Sequence, residues 1–176
     1  MDDYPEHLAP LNADSWNPES FRSWWARVEE HLPDVPRNVA KQWIHRHWGQ
    51  SPYRHVPSNT VTFSLQGMTA KEILEIVPVG KDDYAEWGDY LISLYTRGEY
   101  KRPATGVILR RRVWPAPPII LDNRSPPQYG WAAELPSALL IIEGNRRLAI
   151  AKAMIRTNTF VPSAPVWMMH HKGNAR

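Results

Sequence analysis

Residues 138–154 read ALLIIEGNRRLAIAKAM, and no other stretch constrains the fold as much. The unbroken apolar run up to Ile142 is the pattern of a buried strand. It stops at Glu143, Gly144, Asn145, Arg146 and Arg147. Leu148, Ala151 and Ile155 then recur at helical spacing, and the small Ala149 and Ala153 allow close approach to a sheet. A chain that passes from buried strand to buried helix across one glycine must place helices against a sheet.

The surrounding sequence supplies the other layers. TVTFSL (60–65) alternates at period two and predicts a strand with Val61, Phe63 and Leu65 on one face. Thr69 and Glu72 have the spacing of a capping box opening a short helix with Ile73, Leu74, Ile76 and Val77. A longer helix is expected from Asp82 to Thr96, with Gly98 as its C-cap. GVILRRRVW (106–114) reads as a strand or an extended crossing, PPIILDN (117–123) as a short buried strand, and APVWMM (164–169) as the last strand. Before all of these lie two tryptophan-rich helices. One starts at Asn17-Pro18 and carries Phe21, Trp24, Trp25, Val28 and Leu32; the other runs from Pro36 to Trp48. The expected fold is α+β: a small mixed sheet with packed helices over residues 56–176, and an N-terminal helical extension over residues 1–55.

The crease between strand and helix carries the chemistry. Glycine permits a sharp turn and a close approach to the backbone. The free amides of a helix start carry partial positive charge, and Arg146 and Arg147 add two cations where the helix dipole disfavours them. Free amides with two guanidiniums suit a phosphate. The structural alternative pairs Glu143 with one arginine and leaves the other in water.

Composition limits what else the chain can do. It has no cysteine, which excludes disulfides, thiolate zinc sites and a cysteine nucleophile. With 43% hydrophobic and 22% charged residues it is an ordinary globular sequence. A net charge of +3 permits nucleic-acid binding without arguing for it. The N-terminus MDDYPEHLAP has no signal-peptide character, and no apolar run approaches the roughly 20 residues that span a bilayer, so a soluble, cytoplasmic protein without a membrane partner is expected.

The order of these elements around EGNRR resembles the ParB/sulfiredoxin-like superfamily, over about residues 56–170 with a helical insertion at about 81–100. ParB proteins have a Gly-Glu-Arg-Arg motif that contacts the phosphates of a bound nucleoside triphosphate. Gly144, Arg146 and Arg147 match it, while Asn145 replaces the glutamate that assists hydrolysis in some members. Sulfiredoxins place their reactive cysteine where Asn145 stands, so that reduction is excluded. In kinase-like and nuclease-like members an acid precedes the glycine, and Glu143 holds that place as a base or an aid to Mg²⁺. The resemblance thus implies nucleotide binding, a nucleoside triphosphate with Mg²⁺, and a DNA-associated role. Metal-assisted nuclease or phosphotransferase chemistry is one alternative. A non-enzymatic module that binds a second copy or another protein is the other.

Further candidates surround this core. Tyr129 and Trp131, in the loop before the key strand, are candidates to stack on a base. His45 and His47 are two residues apart and so point apart on a helix, which disfavours a metal site with His55; His45, Arg46 and Arg54 suit either a basic, aromatic-rimmed face for nucleic acid or a partner, or a solvated helix edge. A helix-turn-helix over 17–48 is disfavoured by two prolines in the connection.

Overall fold

A computed structural model describes residues 5–13, 17–49, 58–78 and 84–172. Four strands form one mixed sheet: β1 (Val61–Thr69), β2 (Ile119–Asp122), β3 (Leu139–Glu143) and β4 (Ser163–His171), in the order β1-β4-β2-β3. β1 pairs antiparallel with β4 from Val61↔His171 to Thr69↔Ser163. β4 runs parallel to β2, and β2 forms an antiparallel hairpin with β3.

Helices cover both faces. On one side lie α1 (Phe21–Val28) and α2 (Arg37–Val39), the latter continuing as a π-helical segment, Ala40–His45. On the other lie α3 (Ala70–Glu75), α4 (Tyr84–Thr96), α5 (Pro103–Arg111) and α6 (Asn145–Arg156). The pleat divides the strands between the layers. Leu121, Leu140, Ile142 and Met169 pack with Trp24, Val28, Val39, Trp43 and Ile44. Ile120, Ile141, Val166 and Met168 pack with Ile73, Leu91, Ile108, Leu148 and Met154. A strand covered on both sides needs apolar residues at every position, which is why β3 reads LLII without alternation.

Buried tryptophans keep their polar handle satisfied. The Trp24 indole N–H donates to the Leu8 carbonyl at 2.8 Å, and that of Trp114 to Pro165 at 2.6 Å. The described tryptophans pack inward rather than forming an open stacking surface; none is among the exposed large hydrophobics.

The capping box forms as expected. Thr69 Oγ1 accepts from the Glu72 amide at 3.3 Å, and Glu72 Oε2 accepts from the Thr69 amide at 2.7 Å. Gly98 also closes α4 as expected, at φ 77° with its amide donating to Tyr95. Three expectations are corrected. α1 begins at Phe21, because the Ser20 hydroxyl and not the Asn17 amide caps it, accepting from the Ser23 amide at 3.2 Å. Leu65 does not share the burial of Val61: it is 56% exposed. The stretch 106–114 is no strand. α5 occupies it, begun by Pro103, which needs no N–H partner in a first turn, and closed by Arg112 in the left-handed region (φ 59°). Thr105 and Ile108 lie one helical turn apart, and both are buried.

Candidate functional site

Gly144 builds the strand–helix turn. Its backbone is left-handed (φ 104°, ψ 22°), and it is the N-cap residue of α6. A Cβ there would lie 2.8 Å from Pro118 Cβ and 3.0 Å from an Arg147 guanidinium nitrogen, so glycine is required by conformation and by space. Among the described residues no side chain caps this helix start. The N–H groups of its first turn therefore lack both an intrahelical acceptor and a cap.

The two arginines have different fates. Arg147 is largely buried, and its guanidinium holds three parts of the chain together. Nη1 donates to Gln42 Oε1 at 3.0 Å and to the Ala116 carbonyl at 2.8 Å; Nη2 donates to Glu143 Oε2 at 3.0 Å. The Gln42 amide nitrogen in turn donates to the Pro117 carbonyl at 3.0 Å. The second Glu143 oxygen lies 3.4 Å from His47 Nε2. Burial pushes the Glu143 carboxyl up, but the His47 and Arg147 contacts more than offset it, and the group ends below the usual glutamate range. Arg146 is exposed at the first turn of α6, with no ion pair or side-chain hydrogen bond among the described residues.

Asn145 is held from the other layer. The Tyr84 hydroxyl donates to its Oδ1 at 2.6 Å, and the Tyr84 ring meets Trp87 edge-on at 5.3 Å. Burial pushes the Tyr84 hydroxyl up from its ordinary value, which keeps it a donor. The structure thus brings Glu143, Gly144, Asn145, Arg146 and Arg147 together and adds Gln42 and Tyr84, which the sequence pattern did not single out as site residues, and His47, which it weighed only with the other histidines. Local pattern carries no signal for them, because Gln42 and Arg147 meet across 105 positions of chain.

Tyr129 and Trp131 are not brought to this turn. In the β2–β3 hairpin Asp122 pairs with Leu139 beside the connecting loop, while Glu143 pairs with Ile119 at the other end. The loop that carries both aromatics therefore enters β3 at the end opposite Gly144. Trp131 packs 5.4 Å from the His171 ring, and Tyr129 is 78% exposed. The His45 Nε2 lies 2.8 Å from the Glu19 carbonyl oxygen, and its ring contacts Phe21 and Trp24. Arg54 and His55 lie outside the described residues. Among the described residues no three His, Asp or Glu side chains converge to hold a metal ion, and no helix is long and apolar enough to cross a membrane.

Comparison with protein-family models, with curated proteins and with solved structures found no match.

Proposed function

We propose that the first turn of α6 binds the phosphate groups of a small ligand, a nucleotide by the resemblance of EGNRR to the ParB-like motif. The observation that carries this reading is Arg146. It stands exposed at the start of a helix of 12 residues whose glycine N-cap leaves the amides uncapped. A cation at that end opposes the helix dipole unless an anion joins it. Amides and guanidinium together would then grip one phosphate.

The roles of the motif residues differ from a uniform cradle. Arg146 and the amides of Asn145 and Arg146 face the ligand. Arg147 positions the turn, because its donors are committed to Glu143, Gln42 and Ala116. Glu143 is engaged through both oxygens, so the turn does not fit a resident metal; Mg²⁺ enters this proposal only as the companion of the ligand's phosphates. A DNA-associated role belongs to the same proposal.

The test is calorimetry and thermal shift with nucleoside triphosphates, with and without Mg²⁺. Wild-type protein binds and its Tm rises with ligand. Arg146→Ala weakens binding by about tenfold or more, the order of one charge-assisted hydrogen bond, with the ligand-free Tm unchanged. Arg147→Ala lowers the ligand-free Tm instead. No binding at millimolar nucleotide sinks the proposal. Release of inorganic phosphate, absent in Glu143→Ala, moves it to the hydrolytic reading. A dimer by light scattering without any ligand moves it to the partner-binding module.

A further inference from the structure

A cavity of about 380 Å³ lies away from the Gly144 turn, where α4 passes the C-terminal ends of α5 and α6. That volume falls within the range of small-ligand sites, roughly 300–1,000 Å³. Ile92, Leu109 and Met154 give it an apolar lining; Met154 is buried, and the other two pack partly buried on the core. The rim is polar, with Asp89, Arg112, Thr157 and Thr159. α6 has 12 residues, so at about 1.5 Å per residue the cavity is about 18 Å along the helix from the Gly144 N-cap.

Arg112 sets the charge of this rim. It closes α5 in the left-handed region (φ 59°), where the residue that ends a helix is usually glycine or asparagine. The other non-glycine residues described at positive φ, Asn12 and Asn158, are both asparagines. Arginine lacks the short polar side chain that eases this conformation, so the strain has no local compensation. The Val161 amide fixes the residue there, donating to the Arg112 carbonyl at 3.0 Å. The Arg112 side chain is exposed and makes no ion pair or hydrogen bond among the described residues. The acid on the rim, Asp89, is paired with Arg156 instead. Three donors, the Thr159 amide and the hydroxyls of Thr157 and Thr159, converge on the Met154 carbonyl. A carbonyl oxygen has two lone pairs, so one hydroxyl proton goes to the other hydroxyl, 2.9 Å away, or to a ligand.

We infer that this cavity binds a small amphipathic carboxylate, with its head on Arg112 and its apolar body along Ile92, Leu109 and Met154. A guanidinium presents parallel N–H donors that match the two oxygens of a carboxylate, and such charge-assisted pairs are the stronger hydrogen bonds. One unpaired cation balances the single charge of a carboxylate, whereas a phosphate monoester brings nearly two. The hydroxyl proton shared by Thr157 and Thr159 supplies a further donor on the same rim. Burial of an alkyl or aryl body against the lining supplies the rest of the affinity. Met154 suits that role, because its unbranched side chain adapts to the shape of what it covers. The left-handed turn at Arg112 ends α5 and leaves the guanidinium-bearing residue on the cavity rim.

The experiment is calorimetry of the full chain with octanoate, and with octanol and octylamine as probes that share its body. Octanoate binds with a Kd of about 1 mM or tighter. The alcohol and the amine bind about tenfold or more weakly, since neither makes the charge-assisted pair. Arg112→Gln lowers octanoate affinity by about tenfold or more, the order of one charge-assisted hydrogen bond. Arg112→Gly lowers it as much, yet its ligand-free Tm equals or exceeds that of the wild type, because glycine accepts the left-handed backbone. Loss of fold then does not explain the loss of binding. In protein carrying ¹³C-methyl methionine, octanoate shifts the signal that Met154→Leu removes. No octanoate binding, equal binding of octanol, full affinity in either Arg112 variant, or an unmoved Met154 signal overturns the inference. Arg146→Ala keeps octanoate affinity within about twofold, as expected of distant sites, so this inference and nucleotide binding at the Gly144 turn fail separately.

Discussion

At the scale of single residues, Gly144 and His171 show how little freedom some positions have. Gly144→Ala forces a side chain into a left-handed backbone and against Pro118, and costs about 1–3 kcal/mol for the backbone alone. Gly144→Asn is no milder, since its Cβ meets Pro118 in the same way. Denaturant unfolding checks that both variants lose stability. His171 is 5% exposed, and its Nε2 lies 2.9 Å from Asn123 Oδ1. The Asn123 amide nitrogen already donates to the carbonyls of Ala132, Leu135 and Pro136, so Oδ1 is the acceptor and His171 Nε2 carries the proton. Burial lowers the His171 pKa, with the Asp122 charge opposing and His170 adding to it. The unfolded chain therefore takes up this proton before the folded one does. Stability is full above the unfolded value of about 6.5 and falls as the pH drops below it. His171→Gln, which keeps a donor toward Asn123, flattens that part of the stability profile measured between about pH 7 and 5.

At the scale of elements, the crossing of α4 on α6 rests on Gly88. A Cβ at Gly88 would fall inside the van der Waals shell of the Ala149 backbone carbonyl and lie 2.9 Å from Ala153 Cβ. Backbone cannot rotate away, so Gly88→Ala pushes the helices apart and destabilises by about 1–3 kcal/mol or more. Gly98→Ala meets no atom, and its cost is that of a positive φ alone. Chemical denaturation of the pair separates overpacking from backbone strain. The elements were legible in the sequence where one local signal decided them: the capping box at Thr69, the apolar run of β3, the small-residue face of α6. α5 was not, because Val107, Ile108 and Leu109 read as strand formers. Packing of Ile108 into the core and a proline at the helix start overrode that propensity. The turn Glu143–Arg147 was visible as a charge cluster. That Gln42, His47 and Tyr84 would meet it was not visible; the place of Tyr129 and Trp131 was, because their loop precedes β3 and the turn follows it, at opposite ends of one strand.

At the scale of the whole molecule, the N-terminal helices and the sheet share one hydrophobic cluster. Trp24, Val39, Trp43 and Ile44 sit against Leu121, Leu140, Ile142 and Met169. Arg147 adds polar ties to Gln42, as Glu143 does to His47. A chain that starts at residue 50 would open this face to water, each large side chain losing about 1.5–3 kcal/mol of burial. Expressed alone, that fragment binds a hydrophobic dye and shows no cooperative melt, whereas a well-folded monomer would mean that the helical layer is dispensable.

The sheet order has a consequence for how the protein is made. β4 follows the other described strands in sequence, yet it lies inside the sheet between β1 and β2. While the chain is still being synthesised, β1 has no strand to bond, and only the β2–β3 hairpin can form. The β1 backbone groups that face β4 wait for residues 163–171. The sheet therefore closes only when residues 163–171 have left the ribosome, and a product that stops before Ser163 ends with two strand edges open to other nascent chains.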